Sequence, residues 1–367
     1  MKVVTIVGAR PQFIKAAMVS RAIVAHNRSG TVPQITEEII HTGQHYDENM
    51  SDIFFQQMHI PEPAVNLNTG SGSHGEMTGR MLEKIEREIV ARKPDWVLVY
   101  GDTNSTLAGA LAAAKLHAPM AHVEAGLRSF NKRMPEEINR ILTDHVSSLL
   151  FCPTRAAVAN LANEGIIRGV YHVGDVMYDA ALVFGEIAEN VSTILSDLQL
   201  VPKKYLLATV HRAENTDDEA RLKRILSAFA EASEQIVLPI HPRTHARLDA
   251  FNLRSTRRNL MLIDPISFLD MVQLEKNARV ILTDSGGVQK EAYFHGVPCV
   301  TLRDETEWVE TVEAGWNQVV GADPGKIVKA VGEARTGKVI EEYGAGNASE
   351  IIIQRILSSQ NQENSLN

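Results

Sequence analysis

Several side chains able to move protons follow short apolar runs in this sequence. Asp102 follows Trp96–Tyr100 in Gly101-Asp102-Thr103, and Glu124 follows Met120–Val123 in Glu124-Ala125-Gly126. Glu136 and Glu137 follow Pro135 at the start of a helical stretch. His211 and Arg212 end the run Tyr205–Val210, and His241 ends the next one. Carboxylates crowded in a dry cleft titrate apart, so one can donate a proton while another accepts it. A histidine beside them can carry a proton or hold a phosphate. Glu124 is hard to explain as filler, because a charge at the end of a buried strand is costly without a partner. Asp102 has a plainer alternative, capping the helix that follows. One of Glu136 and Glu137 has a plainer one too, favourable contact with the helix dipole.

Two turns have the makings of anion sites. Gly8-Ala9-Arg10-Pro11-Gln12-Phe13-Ile14-Lys15 joins an apolar run to a helix. A helix start offers unpaired N–H groups and roughly half a positive charge. Arg10 and Lys15 add full charges, which suits a phosphate or pyrophosphate. The second turn is Thr283-Asp284-Ser285-Gly286-Gly287-Val288-Gln289-Lys290-Glu291. Gly286 and Gly287 let the backbone approach a ligand, Ser285 adds a hydroxyl, and Glu291 could accept two ribose hydroxyls. Neither turn is a Walker A loop or Gly-x-Gly-x-x-Gly, so no dinucleotide cofactor is expected. No His-x-x-x-His or Cys/His spacing of a closed metal site appears, and His41 and His45 flank Gly43, so no metal is expected.

These residues need strands to aim them. Strands are expected at 2–8, 37–42, 96–101, 120–124, 149–152 and 171–173, and again at 205–210, 235–240, 260–263, 279–283, 298–302 and 318–320. Helices fall between them, at about 12–27, 48–58, 74–92, 104–116, 135–147 and 154–164. In the second half they fall at 217–232, 243–250, 267–276, 286–295 and 306–314. Apolar, β-branched strands alternating with helices mean parallel sheets covered on both faces. Such sheets put their ligands outside the carboxyl ends of the strands.

At 367 residues the chain is too long for one ordinary core, so two domains are expected. The fold class is α/β, with two Rossmann-like doubly wound domains facing across a cleft. The first spans 1–173 and is completed by a final helix over about 347–360. The second spans 174–346, with the boundary region near Gly174–Asn190. The tail from Asn361 is polar and expected to fray. The net charge of −8 speaks against a nucleic-acid partner. No apolar run approaches the ~20 residues that span a bilayer, so no membrane insertion is expected. Cys152 and Cys299 sit in apolar runs and read as buried free thiols of a cytoplasmic protein.

In sum, the motifs resemble the non-hydrolysing UDP-N-acetylglucosamine 2-epimerases along almost the whole chain. The resemblance rests on Gly8-Ala9-Arg10-Pro11-Gln12-x-Ile14-Lys15, Thr42-Gly43-Gln44-His45, Gly101-Asp102-Thr103 and His122-Val123-Glu124-Ala125-Gly126-Leu127-Arg128. It also rests on Pro135-Glu136-Glu137-x-Asn139-Arg140, His211-Arg212-x-Glu214-Asn215 and Thr283-Asp284-Ser285-Gly286-Gly287-x-Gln289-x-Glu291. It implies a fold like the B-type glycosyltransferases, a homodimer, a UDP-sugar substrate and no cofactor. Carried across, the catalytic residues are Asp102, Glu124, Glu136 and His211. The UDP contacts are Arg10, Lys15, Ser285, Gly286, Gly287 and Glu291, with His241 added from its place at a strand end. The implied chemistry is elimination of UDP, a 2-acetamidoglucal intermediate, and re-addition.

The chain departs from the family where members activated by their own substrate carry Gln-His-Arg, having Gln44-His45-Tyr46 instead. It also has Asn131-Lys132-Arg133-Met134 before Pro135, and Ala213 where an Arg is frequent. Activation by substrate is therefore expected to be weak or absent. The same changes resemble a subgroup acting on UDP-2,3-diacetamido-2,3-dideoxyglucuronate for surface polysaccharide synthesis. There Arg128, Lys132 and Arg133 would meet the extra carboxylate.

Overall fold

The computed structural model describes residues 1–44, 60–253 and 259–364, the last four by backbone alone. The helix expected over 48–58, His45, Tyr46 and the end of the polar tail lie outside the described residues. Two parallel sheets organise the chain. The first comprises β1 (Lys2–Val7), β2 (Thr36–His41), β3 (Val65–Asn66), β4 (Trp96–Tyr100), β5 (Met120–Val123), β6 (Leu149–Cys152) and β7 (Val170–His172). Their order is β3-β2-β1-β4-β5-β6-β7. The second comprises β8 (Tyr205–Thr209), β9 (Gln235–Pro239), β10 (Leu260–Ile263), β11 (Val280–Thr283), β12 (Cys299–Thr301) and β13 (Asn317–Val319). Their order is β10-β9-β8-β11-β12-β13.

The central strands are continuous apolar runs because helices cover both faces. Every residue of β4 and of β8 is buried. On one face of the first sheet, Met81, Ile85 and Ile89 of the helix His74–Arg92 pack with the alanines of the helix Asn104–Lys115. Small residues let that second helix press close. A Cβ on Gly109 would lie 2.9 Å from Ile6 Cδ1 and 3.1 Å from Val99 Cγ1. Thr103 caps this helix by accepting from Thr106 N, so Asp102 is not its cap.

The chain divides into two compact units, Met1–Ala180 with Glu341–Asn367, and Ala181–Ile340. The division falls inside the helix Val176–Val191, which fills the expected boundary region. The final helix, Ala348–Asn364, packs on the helix Arg10–Arg28 within the first unit. It runs past the expected end at 360. Asp179 holds its start, accepting from Ala348 N and Ser349 N at 3.1 and 2.8 Å. The two-residue strand β3 and the helix Pro324–Glu333 also went unforeseen. Both cysteines are buried and free, and burial pushes both thiols up to about 12.

Strand order reverses between β1 and β4 in the first sheet, and between β8 and β11 in the second. A doubly wound sheet opens a ligand crevice at this point, because the flanking crossovers diverge to opposite faces. The turn Gly8–Lys15 and the Gly101-Asp102 turn flank the first crevice. His211 and the Asp284–Gly287 turn flank the second.

Candidate active site

In the first unit, β4 and β5 lie side by side with Tyr100 opposite Val123. The next residues of both strands turn sharply. Gly101 and Glu124 adopt left-handed backbone, with φ of 62° and 73°. For a non-glycine such as Glu124 this costs on the order of 1–3 kcal/mol and persists where the surroundings enforce it. Here Glu124 N and Ala125 N both donate to Phe151 O, at 3.1 and 3.0 Å. The strained turn carries the Glu124 carboxylate to the ammonium of Lys15, which is itself buried. A Cβ on Gly101 would lie 3.2 Å from Glu124 Oε2 and 3.3 Å from Lys15 Nζ, so glycine leaves the space that this pair fills. A cavity with room for about one water lies beside Lys15, Glu124, Phe151 and Asp175.

Asp102 sits next to this pair. Arg140 Nη2 donates to its Oδ2 at 2.6 Å, and Asn139 Nδ2 donates to its backbone carbonyl at 2.9 Å. Burial pushes the Asp102 carboxyl above its ordinary range. Arg140 opposes that, Glu124 adds to it, and Lys15 pulls back. The two carboxylates thus stand in unlike surroundings, Glu124 against the Lys15 ammonium and Asp102 against the Arg140 guanidinium, where burial outweighs the cation and favours the protonated form.

The helix Pro135–Val146 holds these groups with its polar face. Glu137 is buried, accepts from Ser129 N and Phe130 N at 2.9 and 2.8 Å, and receives Arg140 Nη1 at 2.8 Å. Burial works against its charge, but these donors together hold its carboxyl below the usual range. Asp144, on the same helix, is buried 2.7 Å from His122 Nδ1 and accepts from Gly126 N and Arg128 Nη1. His122 Nε2 lies 2.7 Å from Gly101 O, so the ring braces the turn that carries Asp102. Glu136 lies exposed in the first turn of the helix.

In the second unit, Asp284 follows β11 and is fully buried. Both of its oxygens accept from His211 N at 3.1 Å, and Oδ2 also takes Arg212 N and Asn215 Nδ2 at 3.0 Å. His211 Nδ1 lies 3.6 Å from Asp284 Oδ1, and the ring centroid is 5.9 Å from that of His241. Burial lowers the proton affinity of His211, Asp284 opposes this, and His241 and Arg212 lower it further. His241 caps the helix Pro242–Ala250, accepting from Arg243 N at 3.2 Å. Ser285 caps the helix Gly286–Phe294.

The structure amends three local expectations. The N–H groups of Gly8 and Ala9 are not open to a phosphate, because Gln12 Oε1 accepts both, at 2.8 and 3.0 Å. Gly8 answers instead to packing, since a Cβ there would lie 2.0 Å from Thr42 Oγ1. Arg10 is exposed at the helix start, and Lys15 is engaged with Glu124. Gly286 and Gly287 differ. A Cβ on Gly286 would lie 2.3 Å from Glu307 Oε1, but one on Gly287 would meet nothing closer than Ser285 Oγ at 3.8 Å. Only Gly287 is bare at the surface. Finally, Arg128 is 1% exposed at its side chain and divided between Asp144 and Glu164, so it is not placed to meet a sugar carboxylate. Lys132 and Arg133 are exposed.

Sequence reasoning gave no role to Gln12, His122, Arg140, Asp144 or Asp284. For Asp284 a signal existed, because it too is a charge at the end of a buried strand. Among the described residues no cluster of His, Cys, Asp and Glu could hold a metal ion, and no helix is long and apolar enough to cross a membrane.

Residues 28–357 match the sequence profile of the family described as UDP-N-acetylglucosamine 2-epimerase. A UDP-N-acetylglucosamine 2-epimerase homolog of Methanococcus maripaludis is 55% identical, covering 96% of this chain and 99% of its own. The UDP-2,3-diacetamido-2,3-dideoxy-D-glucuronate 2-epimerase of Pseudomonas aeruginosa is 53% identical, covering 96% and 99%. The crystal structure of Methanocaldococcus jannaschii UDP-GlcNAc 2-epimerase, in complex with UDP-GlcNAc and UDP, superposes with a TM-score of 0.86. It is 47% identical and covers 98% of this chain and all of that one.

Proposed function

This chain belongs to the UDP-N-acetylglucosamine 2-epimerase family, and we propose that it inverts C2 of UDP-N-acetylglucosamine to give UDP-N-acetylmannosamine. The observation that carries this reading is the pair of carboxylates in unlike surroundings at the ends of β4 and β5. Epimerisation through elimination needs one group to take the C2 proton from one face and another to return a proton from the opposite face. Glu124, in contact with the Lys15 ammonium, is suited to act as base. Asp102, with its raised proton affinity, is suited to act as acid, and Glu136 assists from the rim.

The steps balance without added reagents. A carboxylate takes the C2 proton, the C–H pair forms the C1–C2 double bond, and the C1–O bond breaks toward UDP. A proton then returns to the other face of C2 while the UDP oxygen re-forms its bond to C1. Arg10, His241, Ser285, Gly286, Gly287 and Glu291 hold the UDP. His211 carries a proton at the departing diphosphate. Cations and helix starts act here on charge that develops as the bond breaks.

The protein acts in the cytoplasm as a homodimer and serves surface polysaccharide synthesis. The dimer reading has a local support. The helix Pro135–Val146 turns its polar face inward and leaves Ile138, Leu142 and Val146, four residues apart, exposed. A second substrate, UDP-2,3-diacetamido-2,3-dideoxyglucuronate, is favoured by the Pseudomonas relative and by exposed Lys132 and Arg133.

The test is proton NMR in D₂O with each substrate in turn. The expected product is a 2-epimeric UDP-sugar with deuterium at C2, and the faster substrate fixes specificity. Release of free sugar and UDP, or no exchange despite UDP binding, would overturn the reading.

A further inference from the structure

We propose that Asp284 is a positioning residue that sets the ring of His211 and locks it to the Ser285–Gly287 turn. This rests on the assignment of His211 as a proton carrier. Thr209 pairs with Thr283 across β8 and β11, and the chain then leaves both strands together. Asp284 N donates to Thr209 O at 3.3 Å. In the other direction the Asp284 carboxylate collects the amides of His211 and Arg212 and the side chain of Asn215. Asn215 in turn donates to Leu302 O at 2.9 Å, fastening the segment to the strand edge beyond β12. One fully buried carboxylate thus fixes the backbone on both sides of the His211 Cα and so sets where the ring projects.

The ring itself is 39% exposed at its side chain, and its Nδ1 faces the same carboxylate at 3.6 Å. That is too long for a hydrogen bond. Among the described residues, the charged or titratable groups that act on the ring are Asp284, Arg212 and His241, of which Asp284 is the negative one; His241 caps the helix after β9. A carboxylate on the Nδ1 side favours the Nδ1–H form and leaves Nε2 to exchange protons with a ligand. An asparagine at 284 would fit the space. Its amide would set N–H groups against the backbone N–H donors and remove the negative charge.

The experiment uses the full-length enzyme, D284N and H211N, each checked for folding by circular dichroism. The His211 ring signals are identified by their absence from H211N. Three results are expected. Ring ¹⁵N shifts of the wild-type enzyme report the Nδ1–H form. The His211 titration midpoint moves to lower pH in D284N. D284N loses at least tenfold in kcat while its Kd for UDP changes less than threefold. A dominant Nε2–H form in the wild-type enzyme would overturn the assignment, and needs no variant to fold. So would an unmoved midpoint in a folded D284N. An H211N enzyme with unchanged kcat would remove the proton-carrier reading itself, which is a separate result from failure of Asp284 alone.

Discussion

Each unit places a histidine at a strand end beside a buried aspartate, and the two pairs are built for different tasks. His122 and Asp144 are both 0% exposed at their side chains, in contact at 2.7 Å. The second ring nitrogen of His122 is spent on Gly101 O. His211 stands off from Asp284 at 3.6 Å with much of its ring exposed. A histidine with both nitrogens engaged in the interior is a strut. One with an aspartate behind it and solvent in front can exchange a proton. The residue pair alone does not decide the role; the environment of the second nitrogen does.

The largest effects should separate the two histidines by observable. H211N should fold normally and lose about 10²- to 10⁴-fold in kcat, as removal of an acid–base group does. H122Q should instead lose about 1–3 kcal/mol of stability, because it takes one buried partner from Asp144, which keeps Arg128 and Gly126 N, and removes the brace on Gly101 O. Urea unfolding and turnover on the same two proteins check both, and a stable H122Q would break the comparison.

A third histidine sharpens it through pH. His295 is sealed like His122, but its neighbour Glu275 is 3.8 Å away, beyond hydrogen-bond reach. Burial, aided by Lys276 and Lys203, lowers its pKa to about 4. Below the unfolded value of 6.5 the unfolded chain binds a proton that the folded chain refuses. This contribution to stability is therefore intact above pH 6.5 and falls as pH drops toward 4, by up to about 3 kcal/mol. His211, also lowered, adds in the same direction. H295Q should flatten this part of the stability–pH curve, measured by urea melts between pH 7 and 5.

Smaller effects should distinguish the two glycines beside Asp284. G286A forces Glu307 aside and should cost about 1–2 kcal/mol of stability. G287A should leave the melting temperature unchanged and weaken UDP about tenfold, which calorimetry would read. The least change is expected in the shape of the rate curve, which should stay hyperbolic with UDP-N-acetylglucosamine; a sigmoid would show that substrate activation is retained.

The strands were legible because burial on both faces demands unbroken apolar runs, as in Trp96–Tyr100 and Tyr205–Val210. Asp102, Glu124 and His211 were legible as reactive types at the ends of such runs. The groups that aim them were not. Asp144 reaches Gly126 across 18 residues, and Asp284 reaches His211 across 73. Such pairings depend on which strands become neighbours, which no local pattern encodes. The split between Gly286 and Gly287 was hidden for the same reason, since it depends on Glu307. The helix Val176–Val191 occupies a stretch where a boundary between domains is expected, so a domain border there is a helix rather than a loop.

Gln12 has a meaning in time as well as in space. Its side chain occupies the amides of Gly8 and Ala9 and reaches on to Tyr100 O and Thr106 Oγ1. The first turn is therefore finished before any ligand arrives. Its amides should exchange with deuterated water as slowly in the empty enzyme as in the loaded one, so the wait for this loop to order is absent from every turnover.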